Sequence, residues 1–290
     1  MYYTATIVDG KEYSAQMNVK FAKNSVKVRV SLAETTECPI AMDELSRDRF
    51  KSVRAALMTN TSISAEIISR GIGDADLTVR YRALAHANIA DAEIIRALKS
   101  KNREVREAIL CNSNISIHHL KMAARDKNLS IKQRVACHPL ATTEILLFIL
   151  KSNPKRMVYF VLNNPAATED VFIEAFDILG DACAESIIWH KNVTAKVLRK
   201  IWERGSERYK SHVLAQPNVD KDILMDACDD IDFHDRIRDH PLLFKDFEFC
   251  MKVRMKMLFR EWMDLCKDDP LKQLVAQVKY DAMVQSMNVK

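Results

Sequence analysis

The 290-residue sequence contains few glycines and no long apolar run. Five Gly and seven Pro leave little material for flexible linkers or for the tight turns of active-site loops. A Gly-rich phosphate loop, a nucleophile elbow and a paired acid/base motif are absent, so we expect a protein that is not an enzyme. No motif indicates a cofactor or a small-molecule substrate.

The sequence also lacks the signs of membrane insertion, secretion and metal binding. No run of 18 apolar residues occurs, so no segment is predicted to span a membrane. The first residues, MYYTATIVDGKEY, lack a basic region followed by an apolar core, and no secretory signal is predicted. Seven cysteines include no CxxC pair, which indicates reduced thiols in a cytoplasmic protein and no zinc site.

What the sequence does contain is a repeat of constant length. Seven polar residues, several of them before Pro, recur at one fixed step along the chain, and an eighth follows after a slightly shorter step. These polar residues, called the polar column, are Asn60, His86, Asn112, His138, Asn164, His190, Gln216 and His240. A fixed period in the range of about 20 to 50 residues is typical of solenoids. We therefore predict a mainly α-helical solenoid of seven to eight short repeats.

Each repeat is predicted to contain two helices. The first ends at the polar column, because Pro in the next position biases the residue before it away from helical dihedrals. The second begins at a residue able to cap free backbone N–H groups. These caps are Ser64, Ser116, Thr142, Thr168, Thr194 and Asp220, with Asp91 predicted for the one repeat that has an extra residue. Cys111 and Cys137 lie in a column shared with Ala85 and Ala215, so they are expected in the core.

The ends of the chain do not follow this period. Residues 1–36 are predicted to form a small antiparallel β meander, from the Asp9-Gly10 turn signal and the alternation of Val26, Val28 and Val30 with polar residues. Residues 37–52 are predicted to form a connecting helix, residues 53–243 the repeats, and residues 244–290 a C-terminal helical cap. A Met-rich docking surface is the alternative interpretation of the last segment.

The repeat unit resembles the leucine-rich-variant repeat, a relative of HEAT repeats. The likeness rests on a Val-Arg start, an Asn- or His-Pro step, a Ser or Thr cap and paired apolar residues, and it covers about residues 53–243. The resemblance implies a right-handed superhelix of alternating short and long helices, and a binding scaffold rather than an activity. The period of this chain is longer than the family's, and the cysteine cluster that accompanies some such arrays is missing.

The polar column is predicted to be structural. A side chain at the same turn of every repeat can bond backbone groups that the short helix leaves open. Asn and Gln share the column with His, and they cannot replace His as a metal ligand or a base. A second column is basic and consists of Arg54, Arg80, Arg106, Lys132 and Lys210. For three of its members an Asp stands six residues earlier: Asp48, Asp74 and Asp126. We interpret this column as an ion-pair ladder between repeats; a phosphate-binding ridge is the alternative.

The side-chain charge in a third column changes from positive to negative along the chain. Lys99, Arg125 and Lys151 stand at predicted C-terminal ends of second helices, and acids take over this position further on. Acids there oppose the helix dipole, so helix energetics does not explain the change. Lys and Arg outnumber Asp and Glu by 18 to 9 over residues 51–156, whereas acids outnumber bases by 13 to 8 over residues 157–230.

This charge pattern predicts two partner-binding sets. The basic stripe consists of Arg96, Lys99, Lys101, Arg103, Lys121, Arg125, Lys127, Lys151, Lys155 and Arg156. The acidic continuation consists of Asp177, Glu203 and Asp229. The leading hypothesis is an adaptor that binds a protein partner through these charges. The alternative is a nucleic-acid-binding protein that uses the basic half, because a row of cations can follow a phosphate backbone. A solvated face without a partner is the third reading of the stripe.

Overall fold

The structure, a computed structural model, describes residues 25–288. These residues form nineteen α-helices and one short 3-10 turn, and no strand occurs among them. None of these helices combines the length and apolar character needed to cross a bilayer. The chain divides into two compact units, and the division between Leu140 and Ala141 falls inside the 53–243 segment that the repeat pattern treats as one domain.

The first unit ends at Leu140 and has nine helices in its described part. They are α1 (Val26–Thr35), α2 (Pro39–Leu45), α3 (Lys51–Leu57), α4 (Ala65–Ile72), α5 (Leu77–Leu84), α6 (Asp91–Leu98), α7 (Arg103–Ile109), α8 (Ile117–Ala123) and α9 (Leu129–Ala136). The first helices of successive repeats, α3, α5, α7 and α9, pack side by side, and so do the second helices α6 and α8.

The second unit begins at Ala141. Its helices are α10 (Thr143–Ser152), α11 (Pro154–Leu162), α12 (Glu169–Leu179), α13 (Asp181–Ile188), α14 (Ala195–Arg204), α15 (Glu207–Leu214), α16 (Lys221–Ala227), α17 (His234–Arg238), α18 (Phe247–Leu265) and α19 (Pro270–Asn288), with a 3-10 turn at Ile231–Phe233. Helices α11, α13 and α15 pack side by side, as do α10, α12 and α14. Gly180, at a φ of 54°, joins α12 to α13 in a left-handed conformation that suits glycine.

The helices recur with the period seen in the sequence. Within each unit, successive second helices begin at the step that separates the polar-column residues, from Ala65 to Ile117 and from Thr143 to Lys221. The family resemblance implies that short first helices alternate with long second helices. The observed difference is small, because first helices have 7 to 9 residues and second helices 7 to 11. Ser64, Ser116, Thr194 and Asp220 accept the predicted backbone bonds, but Thr142 and Thr168 do not. Asp91 is the first helical residue, and Ala90 is the cap.

The core of each unit is built from the apolar columns. Val53, Val79 and Ile131 are fully buried in the first unit, and Leu146 and Phe172 are fully buried in the second. Residues at the same position of successive repeats thus lie on the buried faces of helices that pack on one another. Burial of this face, rather than propensity, therefore holds helices of only two turns in place.

The predicted β meander is wrong where the structure describes it. Residues Val26–Thr35 form helix α1, while the two earlier predicted strands lie outside the described residues. The helix is held by tertiary contacts: Ala33 is fully buried, and Arg29 is buried and bonds the Asp48 carboxylate at 2.6 Å. The right-handed superhelix that the fold prediction specified stays a prediction.

The C-terminal segment, predicted as a helical cap over residues 244–290, contains the two helices α18 and α19. Phe249, Val253 and Met257 of α18 are buried, and α18 packs on α16 and on the 3-10 turn. Buried His234 contributes to this attachment, because its Nδ1 lies 3.1 Å from Glu261 of α18. Helix α19 packs on α18 through stacked Phe259 and Tyr280 rings, with centroids 4.3 Å apart.

Truncation of a core side chain tests the assignment of the buried face. Ile145→Ala on α10 is expected to lower the free energy of unfolding by about 2–4 kcal/mol, because Ile145 is 2% exposed. Phe148→Ala on the same helix is the control, since Phe148 is 45% exposed and should cost less. Chemical denaturation measures both. A larger loss for Phe148→Ala than for Ile145→Ala would contradict the assignment.

Candidate functional site

Three polar-column residues of the first unit bond their repeat to the backbone of the segment before it. The Asn60 side-chain amide donates to the carbonyls of Ala33 and Thr36, at 3.0 and 2.8 Å. His86 Nε2 lies 3.0 Å from the carbonyl of Asn60, and the Asn112 amide donates to the carbonyl of His86 at 3.1 Å. These three side chains are buried. Their bonds therefore link successive repeats through backbone groups.

The same side chains also close their own turns. The Oδ1 of Asn60 accepts the backbone N–H of Ser62, and that of Asn112 accepts the N–H of Asn114. In the second unit, Asn164 Oδ1 and the Nδ1 of His190 and His240 accept the N–H two residues later. His240 Nε2 also lies 3.1 Å from the carbonyl of Gln216. His138 Nδ1 accepts the N–H of Leu140 in the first unit. All these contacts are structural.

Removal of one column residue tests this role. Asn112→Ala should lower the free energy of unfolding by about 1–3 kcal/mol, because the buried carbonyls of Leu84 and His86 and the N–H of Asn114 lose a partner. Thermal and urea denaturation would measure the loss. Ser113→Ala, at an exposed neighbouring position, is the control, and Asn112→His should retain more stability than Asn112→Ala. Equal stability of the three variants would contradict the structural role.

Burial favours the neutral form of three column histidines. It lowers the pKa of His138 and His240, and together with the neighbouring Lys191 it lowers the pKa of His190. The neutral ring also fits the hydrogen bonds of His240, whose Nε2–H donates to Gln216 while its bare Nδ1 accepts from Leu242. Protonation of Nδ1 would break the second bond. A folded-state pKa below the unfolded value of 6.5 gives stability that is present above pH 6.5 and is lost as the pH falls through the folded pKa.

The pH dependence of stability tests this conclusion. Between pH 7 and pH 5, the wild type should lose more unfolding free energy than the double variant His190→Asn, His240→Asn, because Asn has no charge to gain. Carboxylates with lowered pKa values lose their contribution only at more acidic pH, so this window isolates the histidines. Urea denaturation at each pH provides the measurement. Parallel pH profiles for the two proteins would contradict the assignment.

Two arginines of the second column, Arg54 and Arg106, form clamps between repeats of the first unit. Arg54 bonds the carboxylate of Asp74 through two nitrogens at 2.6 and 3.0 Å, and Arg106 bonds Asp126 in the same way at 2.6 and 3.4 Å. Arg54 also donates to the backbone carbonyl of Asp48. The carboxylate partner therefore stands twenty residues after the arginine. The residue six positions before the arginine supplies only a backbone carbonyl. Burial alone would raise the pKa of Asp74, but the bonds from Arg54 and the N–H of Asp76 lower it.

Two of the three acids in the predicted acidic continuation are neutralised within the second unit. Asp177 pairs with Lys200 and Arg204, both at 2.6 Å, and these bonds lower the pKa of its carboxyl. Asp229 pairs with Lys256 and Arg260, at 2.9 and 2.6 Å, in the same way. Glu203 lies 3.7 Å from Arg199. Asp177 and Asp229 therefore offer no free negative charge to a partner. Glu203 is exposed and shares Arg199 with Asp220, Asp222 and Asp226.

Several cations of the predicted basic stripe are also paired. In the first unit, Arg96 pairs with Glu93 at 2.5 Å and Arg103 pairs with Glu107 at 3.3 Å. In the second unit, Lys151 pairs with Glu174 at 3.1 Å, while Lys155 and Arg156 are exposed at the start of α11. Lys121 is exposed on α8. The stripe is therefore not a uniform row of available charges.

Four cations of the first unit stand apart from these pairs. Lys99 and Lys101 lie in the turn between α6 and α7, and Arg125 and Lys127 occupy the equivalent positions between α8 and α9. All four are exposed and make no ion pair or side-chain hydrogen bond within residues 25–288. We call these residues the four-cation surface. Because α6 packs on α8 and α7 on α9, the two turns are neighbours.

The acids around the four-cation surface do not neutralise it. Asp126 stands between Arg125 and Lys127, but its carboxylate bonds Arg106. Glu93 is paired with Arg96, whereas Glu104 remains exposed three residues after Lys101. A groove of about 680 Å³ borders Lys99 and is also lined by Arg70 and Arg96. Arg70 is paired with Asp43 at 2.8 Å, so Lys99 is the groove cation left for a ligand.

One exposed column was misread from the sequence. Cys111 and Cys137 were expected in the core, but both are exposed, because the residue just before the polar column faces outwards. Trp189 occupies this column in the second unit, where other repeats have Thr59, Ala85 or Asn163. It is 57% exposed. A large aromatic residue in a column of small or polar ones is the signal that could have identified it.

The described residues contain no arrangement typical of a metal centre. Between residues 25 and 288, no group of three or more His, Cys, Asp or Glu side chains is placed to hold a metal ion. Burial raises the pKa of the Cys183 thiol to about 12 and that of Cys228 to about 11, which keeps both thiols protonated. Comparisons of the chain with protein-family models, with curated proteins and with solved structures found no match.

Proposed function

We propose that this protein is a non-catalytic helical-repeat binding protein whose four-cation surface engages an acidic segment of a protein partner. The observation that carries the proposal is the contrast in pairing between the two charge sets. Lys99, Lys101, Arg125 and Lys127 are exposed and without ion pairs in the described part of the chain. Of the acidic residues predicted to continue the binding surface, Asp177 and Asp229 each already pair with two cations.

The size of the four-cation surface favours a short acidic segment. Two adjacent turns, one helix diameter of about 10 Å apart, supply all four charges. The equivalent positions of the preceding repeat are Gly73 and Ala75, which carry no charge. A nucleic-acid backbone gains affinity from a longer row of cations, and here the neighbouring Arg96 and Arg103 are engaged by acids.

The repeat columns support the proposed repeat family, and the thiols support the proposed compartment. The recurrence of helix pairs at a fixed step along the chain supports a relationship to leucine-rich-variant and HEAT-like repeats, which we propose at the level of the repeat unit. Exposed Cys111 and Cys137 are free thiols, which persist best in a reducing compartment. We therefore propose a cytoplasmic location. The function rests on charge complementarity, which steers encounter and sets specificity at protein interfaces.

Charge reversal tests the proposed surface. The quadruple variant Lys99→Glu, Lys101→Glu, Arg125→Glu and Lys127→Glu should lose the partner recovered by affinity purification from the native cell after nuclease treatment. Exposed substitutions of this kind usually cost under about 0.5 kcal/mol each, so thermal denaturation should show an intact fold. The control reverses four other exposed cations, Lys27, Lys245, Arg254 and Lys267, for the same change in net charge.

Two outcomes would contradict this function. Retention of the partner by the quadruple variant would remove the four-cation surface from the interaction. Loss of the partner on nuclease treatment would favour nucleic acid instead. In that case the logarithm of the affinity should fall linearly with the logarithm of the salt concentration, with a slope of about −3 to −4 for four duplex phosphate contacts. A protein partner should respond to salt mainly through a slower association rate.

A further inference from the structure

The second unit exposes two aromatic side chains on neighbouring first helices. Tyr159 of α11 is 67% exposed, and Trp189 at the C-terminal end of α13 is 57% exposed. Helices α11 and α13 pack against each other. Trp and Tyr are the residues that most often anchor protein–protein contacts, because they bury a large area with few rotatable bonds. Exposed Tyr and Trp rings on two helices that pack together are therefore candidate contacts for a partner.

An exposed carboxylate lies between the two rings in the helix register. Glu185 precedes Trp189 by four residues, which places both on the same side of α13 with Cβ atoms about 5–6 Å apart. Glu185 and Tyr159 each stand five residues before a polar-column residue, so they occupy the same level of adjacent helices, whose axes are about 8–10 Å apart. The Glu185 side chain has no ion pair or hydrogen bond within the described residues.

The Trp189 ring is positioned by the next repeat. Its centroid lies 6.1 Å from that of His212 on α15, at an interplanar angle of 51°. The His212 ring in turn lies 6.0 Å from that of Tyr209, which is buried. These contacts restrict the indole, although more than half of its surface stays accessible. A restricted aromatic ring loses less entropy when a ligand covers it.

We propose that Trp189, Glu185 and Tyr159 form a docking site for an arginine or lysine side chain of a protein partner. A guanidinium or ammonium group over the indole face is attracted by the ring quadrupole, and Trp is the best aromatic partner for it. The Glu185 carboxylate supplies the opposite charge within one helical turn. The Tyr159 hydroxyl can accept a hydrogen bond from the same group. The site is independent of the four-cation surface, which lies in the other unit.

The charges around the site decide between a cationic peptide and a nucleic acid. Arg156, Lys191 and Arg208 are exposed on this part of the unit, and Arg208 lies over the Tyr209 ring at 5.5 Å. Bases could stack on Tyr159 and Trp189 while these cations met the phosphates. A strand that spanned both rings would, however, bring phosphate against the unpaired Glu185 carboxylate between them. That carboxylate favours a cationic side chain.

The experiment uses a random dodecapeptide library displayed on phage and selected on the full chain. The wild type should enrich peptides that share an arginine or lysine at one position. A synthetic peptide of the enriched sequence should bind at least tenfold more weakly to Trp189→Ala and to Glu185→Gln, and Trp189→Phe should bind better than Trp189→Ala. Replacement of the shared arginine or lysine by glutamine should abolish peptide binding.

Matched controls separate this site from a general surface effect. Ile178→Ala, an exposed apolar change in the same unit, and the quadruple reversal of the four-cation surface should both bind the peptide as the wild type does. Thermal denaturation of each variant verifies folding. The proposal is overturned if enriched peptides share no cation, if nothing is enriched, or if Trp189→Ala enriches the same peptides. Tight binding of oligothymidylate that is lost in Trp189→Ala would assign the rings to single-stranded nucleic acid instead.

Discussion

The bond from the polar column to the backbone of the preceding repeat is the interaction on which the repeats depend. Helices of two or three turns leave many backbone groups without partners at their ends. Asn60, His86 and Asn112 satisfy such groups in two repeats at once, because one side-chain atom closes the local turn and another reaches the carbonyl one repeat earlier. The Arg54 and Arg106 clamps add a second, charged link between the same repeats.

The repeat organisation could be predicted because residues of the same type recur at equivalent positions of successive repeats. The positions of the polar column, the cap residues and the apolar columns located most helices, and the helix starts follow the same step as the columns. Helix α1 could not be predicted in this way. Its sequence alternates valine with polar residues, which is the period of a strand. Burial of Ala33 and the bond from Arg29 to Asp48 favour the helix, and both contacts involve residues distant in sequence.

The candidate site was predicted less completely, because net charge does not report pairing. A count of acids and bases suggested a negatively charged continuation, yet Asp177 and Asp229 each pair with two cations of the following repeat or helix. Conversely, Lys99 and Arg125 are available to a partner because the nearby carboxylates bond other residues. Glu93 pairs with Arg96, and Asp126 pairs with Arg106. Exposed Trp189 was missed because its column, which also holds Ala85, Cys111 and Cys137, was expected in the core.

The polar column has a further consequence for how such a chain can gain, lose or exchange repeats in evolution. Asn60, His86, Asn112 and His240 each bond a carbonyl of the preceding repeat. Because every residue possesses a carbonyl, this link does not depend on the identity of the neighbour. Asn, His and Gln all occupy the column. A whole repeat could therefore be duplicated, lost or exchanged while its neighbours kept their backbone partners, and the outward-facing positions would be free to diverge. In this chain one such position carries a tryptophan and two others carry cysteine.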